Sequence, residues 1–202
     1  MRKLIREMIK ESLLLEMFKN LNPYPFSSQP DIIDTDLSGD MPLRFIYVFQ
    51  TKSGLNYHIS IEYMMSDSSE DIEAVYSTFD LKGDAYWEIQ FYVKKSSRLG
   101  GADYSLTNEN DIRVLHTVIE ITKSFVKNVL PTLKDEDQKM TREFVSECNS
   151  EYSGDARRAN VYQYMLKKQG IPSKIAEVTR TRWSISDNSF INKKEYYIKF
   201  EV

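Results

Sequence analysis

Few residues in this chain have the chemistry of a catalytic or binding site. The single cysteine, Cys148, follows Glu147, and the only histidines, His58 and His116, stand far from it in sequence. Brought together, they would form a Cys-His-acid set in which an imidazole takes the thiol proton. The structural reading of the same residues is preferred: Cys148 as a small apolar filler on a strand, and His116 as a packed or surface residue of a helix. Two histidines and one cysteine, none at ligand spacing, give no metal site. The stretch Ser153-Gly154-Asp155-Ala156-Arg157-Arg158 opens a helical pattern and offers backbone amides and guanidiniums, so Gly154, Arg157 and Arg158 are the candidate anion-binding residues. Its structural alternative has Asp155 capping the helix and the arginines pairing with acids such as Glu151. Glu147, a strand-end carboxylate among apolar neighbours, is a candidate base only if a cleft accompanies it. The aromatic set Tyr47, Tyr57, Tyr63, Tyr86, Trp87, Phe91 and Tyr92 reads as sheet core and cross-strand pairs. Stacking on nucleic acid would want interleaved Lys and Arg, and Glu62, Asp67, Glu70, Asp71, Glu73 and Glu88 stand there instead. No catalytic residue and no cofactor are assigned.

Bulk composition narrows the classes further. At 202 residues with 41% hydrophobic and 12% aromatic content, the chain reads as globular rather than disordered. At this length roughly 70% of the unfolded surface can be buried, so neither a disulfide nor a metal is needed for stability. Thirty acidic against 27 basic residues, a net charge of -3, argue against general nucleic-acid binding. One cysteine permits no internal disulfide and fits a reducing compartment. No run approaches the roughly 18 apolar residues of a membrane span, and Arg6, Glu7, Lys10 and Glu11 interrupt what would be the core of a secretory signal.

The elements that must position these residues follow from periodicity. Residues 1–18 place Leu4, Ile5, Met8, Ile9, Leu13 and Leu15 on one side and charges on the other, an amphipathic helix. Residues 19–40 carry Pro23, Pro25, Pro30, Ser27, Ser28, Ser38 and Gly39, the composition of a linker. Residues 41–202 form one α+β domain. Within it, 41–50, 55–64, 72–81 and 85–94 alternate as four antiparallel strands in a meander, with a turn at Lys52-Ser53-Gly54. Ile112, Leu115, Val118, Ile119, Thr122, Phe125, Val126 and Val129 then make a helical stripe that Pro131 ends. Residues 142–148 alternate as a strand, with Phe144, Ser146 and Cys148 on one side. A second helix through Tyr162, Met165 and Leu166 stops at Gly170, Ile171 and Pro172, where the glycine takes the left-handed position. Residues 174–185 and 194–202 close the chain as a hairpin. The strand at Phe144 and the strand at Lys174 are expected near each other, with the second helix crossing between them.

That order, a meander followed by helix, strand, helix and hairpin, resembles the acyl-CoA N-acyltransferase (GNAT) fold over residues 41–202. The resemblance implies a mostly antiparallel sheet with two packed helices. The family's Q/R-x-x-G-x-G/A pyrophosphate loop is replaced by residues 105–111 (SLTNEND), which hold no glycine and two acids, Glu109 and Asp111. Leu166 stands where the family often carries a general-acid tyrosine, with Tyr162 and Tyr164 out of register. The resemblance therefore implies the fold without its cofactor motif.

Residues 114–126 (VLHTVIEITKSFV), 157–168 (RRANVYQYMLKK) and the leader 2–16 (RKLIREMIKESLLLE) are similar to uncharacterised proteins of T-even-like tailed phages. In those phages a head-maturation protease cuts after Leu/Ile-x-Glu, and Leu14-Leu15-Glu16 matches that pattern between an amphipathic leader and a Pro/Ser linker. The resemblance implies a phage protein, virion-associated and packaged in the head or acting in the host cytoplasm. The expected function is non-enzymatic, through contacts with a phage head component or a host protein; the alternatives are an acyltransferase-like enzyme with an atypical cofactor site and an inhibitor of a host protein. Neither nucleic acid nor membrane is expected as a partner, and the oligomeric state is left open.

Overall fold

The computed structural model describes residues 21–35, 42–65, 78–79, 81, 85–94, 102–103, 111–133, 141–148, 157–184 and 189–202. The expected leader helix over 1–18, the Leu14-Leu15-Glu16 site and Gly154 lie outside the described residues.

The chain is α+β. In order it forms β1 (Asp31–Thr35), β2 (Pro42–Gln50), β3 (Asn56–Met65), β4 (Ala85–Lys94), the short β5 (Ala102–Asp103), helix α1 (Asp111–Asn128) with a 3-10 turn at Leu130–Thr132, β6 (Glu143–Glu147), helix α2 (Arg157–Lys168), β7 (Ser173–Ser184) and β8 (Ser189–Glu201). The strands make one sheet in the order β1-β2-β3-β4-β6-β8-β7, with β5 paired to β4. Every pairing is antiparallel except β4 with β6.

Alternation decides the faces. Phe45, Tyr47 and Phe49 of β2 lie opposite Ile61, Ile59 and Tyr57 of β3, which lie opposite Ile89, Phe91 and Val93 of β4. All are buried and join Phe144, Ile198 and Phe200 in the main core beneath the helices. Phe125 of α1 is the hub, with ring centroids 5.1 Å from Phe45, 5.0 Å from Trp87 and 6.3 Å from Phe144. Helix α2 lays Tyr162 edge-on to Phe200 at 5.9 Å.

The buried arc of α1 is wider than the expected stripe, since Val114, Thr117 and Ile121 are buried as well. Residues 21–26 account for part of this. Tyr24 is 4% exposed, its amide donates to Thr117 Oγ1 (2.9 Å), the Arg113 guanidinium lies 3.9 Å over its ring, and the ring stacks on Phe49. A Pro/Ser composition reads as a linker, yet this stretch contributes a core aromatic, and Asp31–Thr35 pairs with β2 as a strand.

One further expectation is corrected. Thr78 and Phe79 are helical where 72–81 was expected to be a strand, and β3 pairs directly with β4. Phe79 instead joins Tyr86, Val145, Ala176, Val178 and Tyr197 in a second small core on the face away from the helices, with Lys174 Nζ donating to the Thr78 carbonyl at 3.4 Å. The fourth strand of the meander is thus β1. Strands β6 and β7 lie in the same sheet with β8 between them, pairing with both.

The turns behave as their residues require. Gly54 takes φ +88 in the β2–β3 turn, its amide donating to the Thr51 carbonyl at 3.0 Å. Gly170 takes φ +73 after α2, where Ile171 N donates to Leu166 O (2.9 Å) and Gly170 N to Lys167 O (3.1 Å), a Schellman ending. A Cβ on Gly170 would meet nothing within 4 Å. Gly170→Ala should therefore lose stability through the backbone alone, about 1–2 kcal/mol, read from urea unfolding midpoints.

Candidate functional site

Of the sequence candidates, Cys148 and His58 are not brought together. Cys148 is buried on the helix-covered side of the sheet, in line with Phe144 and Ser146, and its Sγ lies 3.6 Å from the Ser146 carbonyl. His58 belongs to the opposite face, stacked on its cross-strand partner Tyr92 with centroids 5.7 Å apart. The sheet stands between thiol and imidazole, so these two do not form a nucleophilic pair. Glu147 sits opposite Tyr197, on the face away from the helices. Arg157 and Arg158 are the first residues of α2. Among the described residues no group of three or more His, Cys, Asp or Glu is placed to hold a metal ion, and no helix is long and apolar enough to cross a membrane.

His116 packs on α1 with its side chain 17% exposed and Nε2 3.7 Å from Glu120. Burial holds its pKa below the ordinary 6.5, against the pull of Glu120; Lys123 adds to the lowering and a backbone contact at Leu21 opposes it. The unfolded chain binds a proton at the ordinary value and the native state only at lower pH. This contribution to stability is therefore complete above about pH 6.5 and is lost as pH falls through the folded value. Urea midpoints at pH 7.5 and 5.5 should fall further for the natural protein than for His116→Gln.

Two features remain that the core does not explain. One is internal. Strands β4 and β6 are in register only from Trp87 and Phe144 to Ile89 and Ser146, after which β4 continues to Lys94 and takes β5 as its neighbour at Val93 and Lys94. On the helix side of this fork lie Ser146, Cys148 and, from α2, Tyr162. Ser146 Oγ and the Tyr162 hydroxyl are buried with no hydrogen-bond partner among the described residues. Burial, then the nearby Cys148, raises the Tyr162 pKa far above that of a free tyrosine, so it stays neutral. The Tyr47 hydroxyl is likewise buried without a partner and raised by burial. Sequence reading placed Tyr47 in the core and Tyr162 on a helix face, out of register with the general-acid tyrosine of the resembling family, since an orphaned hydroxyl is visible only once its surroundings are known.

The other feature is external. All five residues of β1 are exposed, Ile32 by 57% and Ile33 by 59%. The strand ends the sheet, and among the described residues nothing pairs with its outer edge. Beside it, on the face away from the helices, Asp31, Ile33, Arg44, Ile46, Val48, His58 and Tyr92 line an open groove of about 290 Å³. Val48 is 39% exposed there. Arg44 is engaged within the sheet, with Nε 3.1 Å from Ser60 Oγ and 3.7 Å from Glu62. An open strand edge next to a groove of mixed apolar and polar lining can accept an extended chain: the edge supplies main-chain hydrogen bonds and the groove receives alternate side chains.

No protein-family model, no curated protein and no solved structure matches the chain.

Proposed function

We propose that this is a non-enzymatic, phage-encoded accessory protein, associated with the virion, that acts through protein–protein contacts made by the β1 edge and the groove beside it. The exposed pair Ile32 and Ile33 on an edge strand with no described strand beyond it carries this reading, because apolar side chains on a sheet edge can receive another extended chain. The phage setting rests on the stretches 114–126 and 157–168 and on Leu14-Leu15-Glu16. A GNAT-like order is supported by the one parallel pair, β4 with β6, between antiparallel flanks, and by the β6–α2–β7 connection. Peptide mass mapping of purified particles tests the setting. The chain is expected in the virion with Met17 as its mature N-terminus; its absence from particles overturns the virion assignment.

A second reading, an acyltransferase-like enzyme with an atypical cofactor site, is favoured by the fork between β4 and β6 and the buried Tyr162, Ser146 and Cys148 beside it. Titration calorimetry with acetyl-CoA separates the two. Micromolar binding, lost in Tyr162→Phe or Ser146→Val, would establish the enzyme reading against the first.

A further inference from the structure

We draw no further inference here: the strongest candidate, the open edge of β1 with the exposed Ile32 and Ile33 and the groove beside it, belongs to the site already described, and nothing in the structure shows what covers it.

Discussion

Trp87→Ala is expected to lose about 3–5 kcal/mol of unfolding free energy, enough to unfold a marginal domain at physiological temperature. Trp87 is fully buried in the middle of the sheet. Its ring packs 4.9 Å from Tyr63, 5.0 Å from Phe125 and 6.0 Å from Phe45, and its Nε1 donates to the Thr141 carbonyl at 3.1 Å. Truncation thus removes contacts from three rings and leaves a part-buried carbonyl without its donor. It also weakens the point where β4 meets β6, since Trp87 is registered with Phe144. Trp87→Phe should retain much of the packing and lose the hydrogen bond, a smaller loss of about 1–2 kcal/mol. Equilibrium urea unfolding of the three proteins checks the order; an alanine variant within about 1 kcal/mol of the natural chain would contradict the packing described here.

The second large effect is expected on the other face. Lys199 of β8 forms an ion pair with Glu143 of β6, and their side chains are only 15% and 4% exposed. They are diagonal neighbours, Lys199 lying opposite Val145. Lys199→Met takes the ammonium away from a carboxylate shielded from water, and such half-deletions typically lose about 3–5 kcal/mol. Glu143→Leu/Lys199→Met removes both charges and should recover most of that loss, because a buried ion pair stabilises little relative to an apolar pair of similar size. A double-mutant cycle from unfolding midpoints gives the coupling. If the double variant is as unstable as Lys199→Met, the loss comes from lost packing of the lysine stem and not from the charge left behind.

These two sites differ in how far they could be read in advance. Trp87 belongs to a visibly alternating segment, so its inward face follows from the sequence. Nothing local marks Glu143 and Lys199 as partners, because they lie on strands far apart in the chain and meet only through the β6–β8 pairing.

The same division runs through the whole molecule. Where the signal is a period or a stop within one segment, the sequence was sufficient. The stripe from Ile112 to Val129 corresponds to α1, the left-handed Gly170 ends α2, and alternation put Phe144, Ser146 and Cys148 on the buried side of β6. The α+β class follows from those elements. Strand order does not, because the free energy of pairing depends on which edges meet and not on either segment alone. Hence β8 stands between β6 and β7, and β1, exposed along its whole length, has no buried alternation to announce it and exists by pairing with β2. Residues 78–79 turn helical although the surrounding pattern suits a strand, and Phe79 packs against the second face. The candidate sites fall on this tertiary side as well. The β1 edge is an edge only because no described strand lies beyond it, and the hydroxyls of Tyr162 and Ser146 are isolated only because the core closes around them. Periodicity is carried by neighbours in the chain, and exposure and hydrogen-bond satisfaction are carried by neighbours in space.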